Sequence, residues 1–468
     1  MRLLSKLLLK ALRNPAGLWR SLNARNLGKL LYYLKFAEPS VIEEKVLGAI
    51  APGRRDPASD EPMALDRVRA LDFPARPGPL VSIIIPAWNH WRRTYRCLDS
   101  LLEGTRGPAY EVIVVDNAST DETPAMLARV RNVKVLRNPS NRGFGEACNQ
   151  GAAAAGGKYV LFLNNDTRVR EGWLEPMAAL AEGDGAVGAV GAKLLFPDGR
   201  LQEAGCILWN DRDNLCWTYG RFQDPERPEY NYVKEVDYCS AACLMVRKVL
   251  FDRLGGFDLR YAPAYCEDAD LAMGMRKLGY KVLYQPRSEV VHEEGATSGA
   301  DPGAGVRRFQ PLNQEKLYRK WTETLAREHC PAGQDIFLAR DRSQGKDVLL
   351  WLDRQAPTDG ASRATLGLLR GMGLKIVLIP DDLGKGSPAV GELQQMGVEV
   401  AHGPFDVDAW LRSNGRYVRF VWAGRPDAGA RYRDCLRSRT KARVVLAHEA
   451  GMTEERLRSI IDGGRLIS

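Results

Sequence analysis

Four short apolar runs, at residues 81–85, 111–115, 133–136 and 159–163, alternate with stretches of helical periodicity such as 91–102 and 122–130, and no other feature limits the possible folds as much. Runs this short and this continuously apolar suit strands buried on both faces, which occur in parallel sheets covered by helices. Their βαβαβαβ order predicts a doubly wound, mostly parallel α/β domain. In such sheets ligands bind beyond the carboxyl ends of the strands, where Pro86, Asp116 and Asn164 fall.

With 468 residues, the chain exceeds what one ordinary core accommodates. A second set of runs, at 348–352, 375–379, 398–401, 417–422 and 443–446, predicts a smaller Rossmann-like α/β domain over 346–468, which leaves the first domain at 80–330. Residues 51–80, rich in Pro, Gly, Arg and Asp, read as a linker, and 152–155 as part of a helix. Hydrophobic content of 45% and charged content of 27% match a soluble or peripheral globular protein, and no apolar stretch reaches the roughly 20 residues that a membrane span needs.

The net charge of +9 is concentrated at the start, where residues 1–35 carry eight Lys or Arg and no acid. Leu4, Leu7, Leu8 and Leu12 recur at helical spacing against Arg2, Lys6, Lys10 and Arg13, so the arm and linker over 1–79 begin with a basic amphipathic helix. Such a helix suits an anionic cytoplasmic membrane leaflet, each basic residue contributing about 1 kcal/mol near the surface, or equally a docking site on protein. No basic stripe or recognition element marks the folded domains, so nucleic acid is not an expected partner. Nine cysteines without a CxxC pair, and no cleavable secretion signal, point to reduced thiols and to the cytoplasm, peripheral on the inner face of the membrane.

The polar residues at the ends of the apolar runs carry the chemistry. Asp116 can accept a hydrogen bond from a base N–H or a ribose hydroxyl, or it can cap a helix. Asn164, Asn165 and Asp166 form an oxygen-rich cluster able to hold a hard divalent cation, although Asn and Asp also end strands as turns. Glu267 and Asp268 open a helical segment, where acids favour the dipole by about 0.3 to 1 kcal/mol or where one can serve as a general base. His292, one of five histidines, can complete a Mn²⁺ or Mg²⁺ shell or pack as an ordinary residue. Gly143-Phe144-Gly145 reads as a turn into a helix rather than a P-loop. Trp209, Trp217, Tyr219 and Tyr230 suit stacking on an acceptor sugar, and equally a cover for the sheet.

Taken together, several stretches resemble family 2 of the nucleotide-sugar glycosyltransferases, which use the GT-A fold, and within it the rhamnosyltransferase-like branch of bacterial surface polysaccharide synthesis. They are Val81-Ser82-Ile83-Ile84-Ile85-Pro86-Ala87-Trp88-Asn89, Val114-Val115-Asp116-Asn117-Ala118-Ser119-Thr120-Asp121, Asn141-Arg142-Gly143-Phe144-Gly145 with Asn149, Leu163-Asn164-Asn165-Asp166, and Gly255-Gly256-Phe257-Asp258 with Glu267-Asp268-Ala269-Asp270-Leu271. The resemblance covers about residues 81–299. It implies that Pro86, Ala87 and Asn89 line the nucleotide pocket, that Asp116 contacts the base, and that Asn141, Gly143, Asn149, Asn164 and Asn165 also serve the nucleotide-sugar. Asp166 and His292 would bind Mn²⁺ or Mg²⁺, and Asp268 would be the catalytic base with Glu267 beside it. The chain departs from the family pattern at Asn164, a weaker metal ligand than the usual acid, and at Ser240-Ala241-Ala242, which replaces a glycine-containing turn.

The expected activity is metal-dependent inverting transfer of a sugar from a UDP or dTDP donor to a hydroxyl of a lipid-linked or polysaccharide acceptor. A sugar-phosphate nucleotidyltransferase would need a Gly-rich, Arg-containing loop where Pro86-Ala87-Trp88-Asn89 stands. The remaining alternative is a catalytically inactive, membrane-associated carbohydrate-binding or assembly protein. The second domain resembles the N-terminal half of a GT-B glycosyltransferase, and an active, scaffolding or remnant role is open for it.

Overall fold

A computed structural model describes residues 69–75, 77–294, 305–382, 387–403, 405–423 and 432–446, with 453, 455, 457–459 and 465–466 beyond them. The basic arm and most of the expected linker lie outside the described residues. Two compact units emerge, one running to Pro225 and resuming over Glu235–Arg342, the other made of Glu226–Lys234 and the chain from Ser343 on. The segment 226–234, with Tyr230, therefore groups with the second unit, whereas the sequence reading left it inside the first domain.

In the first unit β1 (Val81–Ala87), β2 (Tyr110–Asp116), β3 (Lys134–Arg137) and β4 (Tyr159–Leu163) are the four expected strands. β1 pairs in parallel with β2 and with β4, and β2 with β3. Further strands that shape the site are β5 (Thr167–Val169), β6 (Val187–Leu195), β7 (Leu201–Glu203), β8 (Cys206–Leu208), β9 (Cys216–Thr218), β10 (Cys243–Arg247) and β11 (Lys281–His292). The order across the sheet is β11-β6-β10-β4-β1-β2-β3, with β5 on β11 and β7 on β6. β8 and β9 form a ribbon of their own.

The α/β, mostly parallel, GT-A architecture expected from the sequence is the one found, with strands it did not anticipate. β10 lies antiparallel between β4 and β6. Neither β6 nor β10 was expected: Gly188, Ala189, Gly191 and Ala192 give β6 little strand propensity, and it forms because both neighbours pair with it. β11 joins two apolar runs, 281–284 and 290–291, into one strand that crosses a bulge between Gln285 and Glu289.

Helices cover the sheet as their periodicity requires. α1 (Trp91–Gly104) buries Trp91, Thr94, Tyr95, Leu98 and Leu101, the three- and four-residue spacing of one helix face. α2 (Thr123–Leu127) is shorter than the expected 122–130, because Arg129 and Val130 bond three residues back, to Met126 and Leu127, in the tighter 3₁₀ manner. α3 (Phe144–Ala153) sets Gly151 so close to Ile84 and Val115 that a Cβ has no room. α4 (Leu174–Gly183) packs on β6, α5 (Glu267–Lys277) starts at the acidic pair, and α6 (Gln310–Glu328) follows. Ile83, Ile85, Leu98, Val112, Val114, Leu161, Leu163 and Trp173 fill the shared core, each large apolar side chain stabilising by roughly 1.5–3 kcal/mol.

Buried ionic ties fasten the later elements to this core. Asp270 accepts from Trp321 Nε1 at 2.7 Å, Lys320 Nζ at 2.7 Å and Tyr261 Oη at 3.2 Å, which locks α6 onto α5. Asp237, fully buried, accepts from the Leu208 amide at 2.9 Å and from Arg276 Nη1 at 3.1 Å, pairs with Arg342, and has His329 Nδ1 at 3.5 Å.

In the second unit β12 (Val348–Asp353), β13 (Lys375–Pro380), β14 (Glu399–Val400), β15 (Val418–Ala423), β16 (Arg443–Leu446) and β17 (Arg465–Leu466) are ordered β14-β13-β12-β15-β16-β17, parallel except for the last pair. Leu349, Trp351, Leu366, Leu378, Leu393 and Trp422 belong to a core of its own. Among the described residues no helix is long and apolar enough to cross a membrane.

Burial alone would raise the Asp237 carboxyl, but His329, Arg276 and Arg342 outweigh it and hold its pKa far below the usual range. Its stabilisation is complete above the ordinary Asp pKa and is lost as pH falls toward the depressed value. Asp237→Ala, which leaves Arg276 buried without this partner, is expected to cost about 3–5 kcal/mol, read from urea unfolding at pH 7.

Candidate active site

The carboxyl ends of β1 and β4 meet where the strand order reverses direction, and a cavity of about 620 Å³ opens there. Pro86, Ala87 and Trp88, at and just beyond the end of β1, form one wall. Asp116 at the end of β2 is buried behind it: Oδ1 accepts from the Ser119 amide at 2.9 Å, Arg137 Nε stands 3.5 Å from Oδ2, and Oδ2 has no hydrogen-bond partner in the protein. Asn117, not Asp116, reaches the cavity surface. Its side chain orders the next loop, donating to Asn141 Oδ1 at 2.9 Å and the Gly143 carbonyl at 3.1 Å and accepting from the Arg142 amide at 3.0 Å. Gly143, at φ 82°, lies so close to the Pro263 carbonyl that a side chain would collide with backbone.

Besides Asp116, two further residues expected at the nucleotide do not line the cavity. Asn89 Oδ1 accepts from the Thr120 amide at 2.7 Å, tying the β1 and β2 loops together. Asn149 bonds both the amide and the carbonyl of Phe257, at 2.8 and 2.9 Å, and so fastens α3 to the loop before α5. Trp209, Trp217 and Tyr219 are buried and pack edge-on or stacked on one another outside the cavity lining, and Tyr230 lies in the second unit. They cover structure rather than offering a face to a sugar.

The floor is the turn after β4. Asn164, Asn165 and Asp166 line it, with Asn165 Nδ2 fixed on Thr94 Oγ1 at 3.0 Å. β11 brings His292 alongside, so that its Nε2 stands 3.3 Å from Asp166 Oδ1 and 3.3 Å from Asn164 Nδ2. His292 Nδ1 faces Gln202 Oε1 at 2.8 Å, an acceptor, so Nδ1 carries the proton and the Nε2 lone pair of the neutral ring is turned to the cavity. Burial pulls His292 down, but Asp166 more than compensates and raises it; for Asp166 burial acts upward and the imidazole prevails downward. A carboxylate and an imidazole nitrogen this close, the latter oriented by an amide behind it, fit a divalent cation. Among the described residues no third His, Cys, Asp or Glu joins them, so a diphosphate and water would complete the shell.

The opposite wall is acidic. Tyr265 and Cys266 both adopt left-handed backbone, at φ 81° and 77°, a strained turn that delivers Glu267 and Asp268 into the cavity at the start of α5. Asp268 Oδ1 accepts from the Ala269 amide at 2.8 Å and Oδ2 from the Ala241 amide at 3.2 Å. Burial raises Asp268 and, together with the Asp268 charge, raises Glu267, whose Oε2 is buried without a hydrogen-bond partner. Glu203 from β7 stands near them, and burial pushes it up to about 7. Two guanidiniums supply the balancing charge: Arg221 and Arg307 both pair with Glu294 on the cavity rim, Arg307 at 2.6 Å.

The structure thus gathers Pro86, Ala87, Asn141, Gly143, Asn164, Asn165, Asp166, Glu267, Asp268 and His292 around one cavity, with Asp116 one residue behind its surface. Sequence reading missed Trp88, Asn117, Gln202, Glu203, Arg221, Glu294 and Arg307 as site residues. Trp88 and Asn117 sat inside recognised stretches; the others come from a bulged edge strand and loops that carry no local signal.

Glycosyl transferase family 2 is the family whose sequence model matches, over residues 82–254. The chain is 32% identical over 267 residues to the uncharacterized protein y4gI of Sinorhizobium fredii, covering 54% of this chain and 28% of that protein. It is 32% identical over 241 residues to the O-antigen biosynthesis protein RfbC of Myxococcus xanthus, covering 49% and 18%. Over 254 residues it is 30% identical to the N-acetylglucosaminyl-diphospho-decaprenol L-rhamnosyltransferase of Mycobacterium tuberculosis, covering 48% of this chain and 79% of that protein. The chain spans less than a third of the length of the first two.

Because Glu267 is raised by burial and by Asp268, its ionisation opposes folding: stability is unaffected below the ordinary Glu pKa and declines as pH rises from there toward the raised value. Glu267→Gln is expected to flatten the fall of the melting temperature between pH 5 and about pH 8, measured by calorimetry across that range.

Proposed function

The chain belongs to glycosyl transferase family 2, and on that premise we propose that it is an inverting hexosyltransferase acting on a UDP- or dTDP-sugar, with a hydroxyl of a lipid-linked or polysaccharide acceptor as the nucleophile. Convergence of Asp166 and His292 on one side of a single cavity and Asp268 on the other carries the proposal.

The nucleoside would lie against Pro86, Ala87 and the Asn117–Asn141–Gly143 edge, with the orphaned Oδ2 of Asp116 behind them as an acceptor for a base N–H. Asp166 and His292 would hold Mn²⁺ or Mg²⁺, which when bound neutralises charge on the departing diphosphate. Arg221 and Arg307 add fixed positive charge at the same rim. Asp268 takes the proton of the acceptor hydroxyl as the oxygen bonds to the anomeric carbon; the bond from that carbon to the diphosphate oxygen breaks, and its electron pair leaves with the nucleoside diphosphate. A base on the face opposite the leaving group gives inversion. Burial raises the Asp268 pKa, which strengthens it as a base near neutral pH, and the Asp268 charge in turn helps keep its neighbour Glu267 protonated.

The relative that rhamnosylates an N-acetylglucosaminyl-diphospho-decaprenol supports a rhamnosyl donor and a polyprenyl diphosphate-linked acceptor in cell-surface glycan synthesis. The basic arm of residues 1–35 would hold such an enzyme at an anionic inner leaflet. Co-sedimentation with phosphatidylglycerol vesicles, abolished by removing that arm, is the expected outcome; equal pelleting without it would leave the membrane role unsupported.

A panel of UDP- and dTDP-sugars with Mn²⁺ and a polyprenyl diphosphate N-acetylglucosamine acceptor tests the activity directly. Saturable donor binding with neither transfer nor donor hydrolysis would favour an inactive binding protein. Asp268→Asn is expected to lower turnover by roughly 10³-fold or more while UDP or dTDP binding survives. Asp166→Ala is expected to remove the Mn²⁺-dependent part of nucleotide affinity in calorimetry, and unchanged affinity would refute the metal assignment.

A further inference from the structure

β7 is three residues long, yet both of its last two side chains reach the cavity. In a regular strand Gln202 and Glu203 would point to opposite faces. Here Leu194 of β6 pairs with Glu203 and Leu195 with Leu201, a break in register that leaves Gln202 as an extra, bulged residue. A bulge re-aims side chains in this way, and both residues line the cavity. Gln202 goes to His292, as described above.

Glu203 goes to the turn 240–242. Its Oε1 accepts from the Ser240 amide at 2.9 Å. The next amide, that of Ala241, is the one bonded to Asp268 Oδ2 at 3.2 Å, and the third, of Ala242, is held by Ser240 Oγ at 3.2 Å. The Ala242 carbonyl in turn accepts from the Asn164 amide at 3.0 Å. One short turn is therefore anchored by Glu203, presents an N–H to the base, and abuts the floor on which the diphosphate would rest.

We infer that Glu203 is a positioning residue that holds Asp268 in register with the Asn164–Asp166 floor through the turn 240–242, an inference that rests on Asp268 being the base. The anchor is a hydrogen-bond acceptor, not a charge. Burial keeps the Glu203 carboxyl largely protonated up to about pH 7. Glutamine, with the same reach and the same acceptor oxygen, is thus a close substitute, whereas alanine removes the anchor and aspartate falls one methylene short. Displacing a catalytic group by about 1 Å can cost on the order of 10²-fold in rate, although nothing that touches the donor has changed.

The test measures kcat for sugar transfer, or for donor hydrolysis where water is the acceptor, beside calorimetric UDP or dTDP affinity, for Glu203→Gln, Glu203→Ala, Glu203→Asp and Asp268→Asn. Expected are a kcat within about threefold of the parent for Glu203→Gln and a fall of about 10- to 100-fold for Glu203→Ala, both with nucleotide affinity unchanged. Should Glu203→Ala fail to fold, Glu203→Asp carries the same expectation. Parent-like kcat in Glu203→Ala or Glu203→Asp, with Asp268→Asn inactive, would overturn the positioning role and leave the base assignment standing. A loss in Glu203→Gln as deep as in Glu203→Ala would also overturn it, by showing that the charge and not the acceptor matters. Near-normal turnover in Asp268→Asn would remove the base assignment and this inference with it.

Discussion

A parallel sheet delivers its strand ends to one edge, and every other property of this site depends on that constraint. β1, β2 and β4 run the same way, so the residues that end them, Pro86 to Trp88, Asp116 with Asn117, and Asn164 to Asp166, stand side by side although the three groups are far apart in sequence. Reversal of the strand order between β1 and β4 opens the space that they line. Insertion of an antiparallel strand, β10, then brings the opposite wall back over the same edge, because the turn before it carries Ser240 to Ala242 to the β4 terminus.

The electrostatics follow from what that edge encloses. Glu203, Glu267 and Asp268 are crowded into one partly dry wall, and burial, joined for Glu203 and Glu267 by the charge of Asp268, holds protons on them to higher pH than ordinary carboxyls. Asp166 experiences the reverse because the His292 imidazole faces it. Two sets of acids in one cavity thus differ in protonation, one suited to accepting a proton and the other to holding a cation. The backbone bears part of the cost: two consecutive left-handed residues, Tyr265 and Cys266, are tolerated just before α5, while the Asp270 and Asp237 networks fasten the elements around them.

Much of this was legible in the sequence where a local pattern had a single physical meaning. The strands β1 to β4 and the polar residues at their ends could be named because buried strands need continuous apolar runs and ligand-binding turns follow them. The acidic pair opening α5 and the histidine ending β11 were visible as residue types, although nothing local said that they meet. Asn89 and Asn149 show the limit: both lie within recognisable stretches, yet each uses its side chain to tie loops to one another outside the cavity lining. The aromatic insert shows it again, since a run of Trp and Tyr reads the same whether it faces a sugar or packs upon itself.

The sequence by itself determined the fold class, the edge of the sheet where chemistry would occur, and the candidate base and cation ligands, because periodicity and residue chemistry act over a few neighbouring positions. Only the tertiary structure decided which of those residues share one cavity, that Gln202 and Glu203 both reach it, and that the turn 240–242 links base to floor. A bulge between β6 and β7, and a hydrogen bond from residue 240 to residue 203, arise from pairing between distant segments, and no local pattern of side chains encodes where such segments will touch.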